Sequence, residues 1–270
     1  MNEVTFSFGH THVLTSARLR NHPRVAKLIF SIFGYTSFGN WARAMVFVNL
    51  LRLLPLKEFK NIMDLGAGLG EFTFMMSEAL PDAQITALEI LPRAIDLLNN
   101  VVKKCDYRNV TVFPHKIEEL PANGTFDFIF SVDVFEHILP EEMPFSECYK
   151  KLRPGGYFLV KMPAKVQRTI MPDSWFEDHN EWLEGAHVGQ VLTLEDLVQK
   201  FKQAGFTIVH ASYSDGLLSR LAWEMAYLTS KRGAIPKLLV LPICKLLNSI
   251  DRMTYRSKKH GNAIQVIGVK

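Results

Sequence analysis

Short, nearly continuous apolar runs separated by helical stretches dominate the middle of the chain. Ile62–Leu65, Gln84–Leu88, Val110–Phe113, Phe126–Val132 and Tyr157–Val160 have the pattern of strands buried on both faces. Between them, Glu71–Leu80, Arg93–Lys104 and Glu141–Leu152 carry apolar residues at helical spacing. Strand and helix alternating in this way predict a parallel sheet with helices on both faces. A further helix, Leu194–Ala204, stops at Gly205 and leads into a strand, Phe206–Ser212. Gly216–Arg252 reads as two helices and Ala263–Val269 as a closing strand, which makes seven strands in all. Ahead of the first strand, Val25–Phe33 and Trp41–Leu54 read as helices separated by a Gly34/Gly39 turn. The expected organisation is a helical cap at 1–59, an α/β core at 60–215, a helical insertion at 216–262 and a last core strand at 263–270.

Composition narrows the class only a little. A chain of 270 residues with 48% hydrophobic and 21% charged residues is globular and long enough for one large core. Its three cysteines, Cys105, Cys148 and Cys244, lack the spacing of a disulfide scaffold or a zinc site. Charge is more informative, because the net +4 is unevenly spread: residues 1–60 carry +6, residues 231–270 carry +8, and residues 61–230 carry −10. Basic ends on an acidic body suit an anionic lipid, a nucleic acid or a phosphorylated substrate, or simply balance the middle. The first fifteen residues lack the pattern of a secretory signal. The strongest apolar stretch, Leu238–Leu247, is broken by Pro242 and Lys245 and falls short of the ~20 residues of a membrane span. A cytoplasmic protein, at most peripheral at a membrane surface, is expected.

The chemistry concentrates at Asp64-Leu65-Gly66-Ala67-Gly68-Leu69-Gly70-Glu71, a strand end, a glycine turn and a helix start. Glycines there let a ligand approach the backbone, and a helix amino terminus offers free amides. The spacing is GxGxG. A dinucleotide fingerprint needs GxGxxG and a phosphate loop needs GK[ST], and neither is present. The stretch resembles the first motif of class I S-adenosylmethionine-dependent methyltransferases. In that family an acid at the end of the second strand binds the ribose hydroxyls, and Glu89 stands at that position. An acid suits a diol because it accepts two hydrogen bonds. His115–Pro121 resembles the loop that flanks the adenine, Phe126–Asp133 the fourth-strand motif, and Leu152–Tyr157 the turn before the fifth strand. The resemblance implies a Rossmann-like α/β fold with a seven-stranded, mostly parallel sheet, an antiparallel last strand and helical caps at both ends. It further implies S-adenosyl-L-methionine as cofactor. Asp64, Gly66, Ala67, Gly68 and Gly70 would hold the methionine part, Glu89 the ribose, Ile90 and Ile117 the adenine, and Ser131 would lie on the sulfonium side.

Because the sulfonium is already an activated methyl donor, the protein needs to align the acceptor and take up a proton when the acceptor is a hydroxyl. The end of strand four, Asp133-Val134-Phe135-Glu136-His137, offers two carboxylates and an imidazole at the ligand-binding edge of a parallel sheet. His187 precedes the helix at 194. Two readings stand side by side. Asp133, Glu136, His137 and His187 resemble the metal set of small-RNA 2′-O-methyltransferases, where a divalent metal activates the acceptor hydroxyl. Alternatively, a Glu-His pair after this strand needs no metal, and His137 is a base or merely a helix-start residue; Glu136, His137 and His187 are the candidate catalytic residues. The loop Met171–Trp182 and Tyr35, Trp41 and Arg43 are expected to wall the pocket. Gly216–Arg252 has apolar runs framed by Lys237, Lys245 and Arg252, which suit a lid over the pocket, an anionic membrane surface or a dimer face.

The favoured function is O-methylation of a small or lipid-linked acceptor, a glycan or isoprenoid intermediate. The alternatives are a metal-dependent RNA 2′-O-methyltransferase and a catalytically silent S-adenosylmethionine-binding partner subunit. Nucleic acid is the less favoured partner, since the basic segments are apolar rather than arginine-rich.

Overall fold

A computed structural model of the chain describes residues 37–121, 123–178, 192–254 and 260–270, together with isolated positions between 22 and 35. In chain order its elements are α1 (Phe38–Leu51), β1 (Asn61–Leu65), α2 (Glu71–Ala79), β2 (Gln84–Leu88), α3 (Pro92–Cys105), β3 (Val110–Phe113) and β4 (Phe126–Val132). There follow α4 (Phe145–Lys151), β5 (Leu152–Pro163), α5 (Leu194–Gln203), β6 (Thr207–Ser214), α6 (Leu217–Ser230), α7 (Ala234–Thr254) and β7 (Ala263–Val269). The seven strands form one sheet in the order β3-β2-β1-β4-β5-β7-β6. The strands from β3 to β5 pair in parallel, while β7 runs antiparallel to both β5 and β6. The strand order reverses between β1 and β4, so their carboxyl ends flank the crevice where such sheets bind ligands.

The two faces of the sheet carry separate cores. On one, Phe47 of α1 packs its ring 5.0 Å from Phe130 of β4 and 4.8 Å from Phe72 of α2. On the other, Phe145, Phe158, Phe201 and Phe206 join α4, β5 and α5. Helix α1 therefore packs into the sheet's own core. The helix expected at Val25–Phe33 is described only at Val25, Leu28, Ser31 and Ile32, which are helical and exposed.

Several boundaries differ from expectation for local reasons. The helix expected from Glu141 begins at Phe145, because Pro140 and Pro144 delay it. The turn expected before β5 is a bulge inside that strand. The pairing steps from Phe126↔Leu152 to Phe128↔Tyr157, with Gly155 at φ 76° taking up the extra residues. Asp127 fixes this corner: it accepts the amides of Lys60 at 2.6 Å and Asn61 at 2.7 Å and pairs with Arg153.

Helices α6 and α7 replace a short β6–β7 hairpin. Buried Asp251 of α7 accepts the amides of Gly216 (3.0 Å) and Leu218 (3.1 Å) and the Ser219 hydroxyl (2.8 Å), which satisfies donors at the start of α6. Leu241 and Cys244 of α7 face inward. Leu239 and Leu246 are 72% and 60% exposed; of the stretch Gly216–Arg252, α6 lines the cavity described below and α7 packs against α6. No helix among the described residues is long and apolar enough to cross a membrane.

Candidate active site

The crevice begins at the turn between β1 and α2. The amides of Gly66 and Ala67 both donate to Leu88 O at 2.9 Å, and that of Gly70 to Ala67 O at 2.8 Å. Gly66, at φ 80°, has no room for a side chain, since a Cβ there would lie 2.6 Å from the Val134 methyls. Gly68, at φ 53°, is different: an added Cβ meets nothing within 4 Å, so open space lies above this part of the backbone. Asp64 is buried beneath the turn and accepts the Thr73 hydroxyl at 2.6 Å. Burial lifts its carboxyl to about 7, with Thr73 opposing the rise and the charge of Glu89 adding to it.

Glu89 follows β2 and is itself buried. One carboxylate oxygen accepts the Gly68 amide at 2.6 Å; the other accepts the amides of Ile90 at 2.8 Å and Leu91 at 2.9 Å. A carboxylate offers about four acceptor positions, and these amides use three, so one remains for a ligand hydroxyl. Ile90 lies half-exposed at the rim, whereas Ile117 is buried in the core cluster that includes Leu88 and Phe135. Ser131 is fully buried and donates its hydroxyl to Leu65 O at 2.9 Å, locking β4 to β1. That proton is committed to backbone.

Beyond β4 the chain turns sharply, with Asp133 at φ 54°. One Asp133 oxygen meets Lys161 Nζ at 2.7 Å and the other Arg43 Nε at 3.1 Å. Burial alone would raise the Asp133 carboxyl, but Lys161 and Arg43 outweigh it and hold it below its ordinary value. Glu136, on the short helical turn Phe135–His137, is 2% exposed, and its Oε2 has no hydrogen-bond partner among the described residues. Burial, reinforced by the Asp133 charge, raises it to about 8. Across the mouth, the Tyr35 hydroxyl donates to Glu71 Oε1 at 2.8 Å, and Arg43 lies in the field of Asp133, Glu71 and Glu136. Asp133, Glu136 and His137 open with Arg43 and Lys161 into a cavity of about 750 Å³ walled by Phe176 and by Trp223 of α6.

Of the four residues of the metal reading, three are described. Both Asp133 oxygens are held by cations, and among the described residues no group of three or more His, Cys, Asp or Glu is placed to hold a metal. His187 lies outside the described residues, as do His179 and Trp182 of the expected pocket loop. Of the loop that is described, Asp173 and Phe176 reach the cavity. Lys161 was missed by sequence reasoning, although a lysine directly after an apolar strand run is a signal: it is nearly buried, and a buried ammonium needs a partner such as Asp133.

A doubly wound sheet with a glycine turn at its switch point, and a buried acid reaching that turn from the next strand, defines a class I S-adenosylmethionine-dependent methyltransferase fold. The chain belongs to the methyltransferase domain family, whose model matches residues 38–211. It is 30% identical over 142 residues to phosphoethanolamine N-methyltransferase 3 of Arabidopsis thaliana, a match covering 52% of this chain and 28% of that protein. It is 22% identical over 182 residues to a malonyl-[acyl-carrier protein] O-methyltransferase of Marinomonas sp., covering 67% of this chain and 65% of that one. Among solved structures, mycolic acid cyclopropane synthase CmaA1, complexed with SAH and CTAB, superposes with a TM-score of 0.59 at 16% identity, covering 84% of each chain. The matches thus span less than two thirds of these curated relatives' own lengths. S-adenosylmethionine fits the crevice, since Gly68 leaves open space and Glu89 keeps an acceptor position.

Proposed function

We propose that this chain methylates a hydroxyl oxygen on a small or lipid-linked acceptor bound in the 750 Å³ cavity, with Glu136 as the base. The observation that carries this reading is Glu136 itself: a buried carboxyl at the cavity, one oxygen unpartnered, raised to about 8. A base is most effective when its pKa lies near the working pH. S-adenosylmethionine, when bound, supplies a methyl group already activated on a sulfonium. Glu136 takes the hydroxyl proton as the acceptor oxygen forms its new bond. Asp133, pinned by Arg43 and Lys161, stays ionised and keeps Glu136 basic. His137 stands on the same turn, facing the same cavity. The likeness to an O-methyltransferase acting on a carrier-linked acyl group supports oxygen as the accepting atom. The test is transfer of labelled methyl from S-adenosylmethionine to a panel of hydroxylated lipids and glycans, with the product's new bond assigned by mass spectrometry. An O-methyl product that Glu136→Gln fails to make supports the reading; an N-methyl or C-methyl product contradicts it.

We also propose that α7 rests on an anionic lipid surface. Ile235, Leu239, Ile243, Leu246, Ile250 and Met253 recur every three or four residues and are all exposed, a stripe along one helix. The stripe lies in the segment 231–270, which carries +8, and that charge complements an anionic bilayer. Vesicle flotation should succeed at low salt, weaken at high salt, and fail for the Leu239→Ser/Leu246→Ser double variant. No flotation at low salt, or a dimer in light scattering that the double variant dissolves, overturns this surface.

A further inference from the structure

A second, smaller cavity of about 200 Å³ adjoins the first and shares Lys165, Arg168, Arg220 and Asn262 with it. Its charged lining is cationic, Lys165, Arg168 and Arg220, with His260 and Tyr213 beside them and no carboxylate. Of the carboxylates of the larger cavity, which also include Glu136 and Asp215, three are engaged elsewhere. Asp133 holds Lys161 and Arg43, Glu224 accepts the amides of Ile170 at 2.7 Å and Met171 at 3.0 Å, and Asp173 accepts the Thr169 hydroxyl. Asp196, which feels the charge of Lys165, accepts the amide of Thr193 at 3.1 Å in the cap of α5. Arg220 adds an independent sign. Its Nε is buried and has no hydrogen-bond partner among the described residues. A buried guanidinium donor left unpaired is costly, and an oxyanion is the partner whose geometry it fits.

We propose that the smaller cavity is an anion subsite that holds a phosphate or diphosphate group of the methyl acceptor, while the rest of the acceptor occupies the larger cavity beside Glu136. Arg220 stands between the two spaces, on the helix that also carries Trp223, so the group it grips fixes how far the acceptor reaches toward Glu136. Asn262 holds the rim by exchanging hydrogen bonds with the backbone of Arg168: its Oδ1 accepts that amide at 3.0 Å, and its Nδ2 donates to that carbonyl at 2.9 Å. The proposal deepens the O-methylation reading by naming an acidic acceptor, but its test is a binding measurement without S-adenosylmethionine, so either can fail alone.

The experiment is titration calorimetry of the full chain with inorganic pyrophosphate, at two salt concentrations, for wild type, Arg220→Gln and Arg168→Gln. Pyrophosphate should bind wild type, more weakly at higher salt, and each variant should lose about tenfold or more in affinity. Arg168 is exposed, so its variant keeps the test decisive should Arg220→Gln melt early. S-adenosylmethionine affinity should stay unchanged in both variants. Pyrophosphate heats identical in wild type and Arg168→Gln, or absent in wild type, overturn the subsite. Two further arms, with vesicles containing phosphatidic acid and with soluble sugar phosphates, identify the source. Loss of vesicle binding in the variants marks a lipid headgroup, and loss of only the sugar phosphate marks a soluble acceptor.

Discussion

Glu89 Oε2 accepts the amide of Gly68 at 2.6 Å, so the acid at the end of β2 and the middle glycine of the turn act as one unit. The same carboxylate also gathers the amides of Ile90 and Leu91. Replacing Glu89 therefore removes a ligand acceptor and loosens the turn together. Glu89→Ala should weaken S-adenosylmethionine binding by about 1.5–3 kcal/mol, the range for hydrogen bonds to a charged group. Calorimetry checks this, and Glu89→Gln should retain part of the affinity because its amide oxygen still accepts the Gly68 N–H. Wild-type affinity in Glu89→Ala would show that the carboxylate serves the turn alone.

The raised Glu136 carboxyl has two consequences with opposite signs. For turnover, the base must be ionised, so log kcat/KM should climb with pH and level off above about 8, a limb that Glu136→Gln lacks. For stability, a carboxyl whose folded pKa lies above its unfolded value of 4.5 destabilises the fold as pH rises from 4.5 through about 8. Glu136→Gln should thus unfold like wild type at pH 4 and be more stable at pH 9, by up to about 5 kcal/mol. Denaturant titrations at the two pH values check the second claim. Equal stability at both would place the group in water.

The strand pattern was legible to a degree that reflects its physics. β2, β4 and β7 begin and end where apolar runs meet turn residues, because buried strands must be apolar on both faces; β3, at the sheet's edge, matches its apolar run although it is only partly buried. The bulge at Gly155 and the late start of α4 were not legible, since each depends on tertiary pairing or on how two prolines are accommodated. At the site, Asp64, the glycine turn and Glu89 are near in sequence and were readable. The Arg43–Asp133–Lys161 cluster joins positions far apart in the chain, which a local motif cannot reveal. The basic residues of the smaller cavity, Lys165, Arg168, Arg220 and His260, come from three separate segments for the same reason. The stripe on α7 was visible as apolar, but the direction it faces came only with the packing of Leu241 and Cys244.

Chelation should leave turnover intact. The carboxylate best placed to serve as a metal ligand, Asp133, already neutralises two cations, and a divalent ion would have to displace or repel both. Initial rates with and without a strong chelator, after dialysis, should agree. Loss of activity restored by a single added metal would revive the ligand set of Asp133, Glu136, His137 and His187.

The central claim is that the crevice over Gly68 holds S-adenosylmethionine, and Gly68→Arg tests it most directly. The position has open space above it, so a long side chain can be housed there without displacing the core, although its φ of 53° adds some backbone strain. Calorimetry with S-adenosylmethionine, alongside thermal unfolding of both proteins, is the measurement. The predicted result is clear binding by wild type and none by Gly68→Arg while the variant still unfolds cooperatively. Equal affinity in the two proteins, or no binding by wild type, would contradict the account.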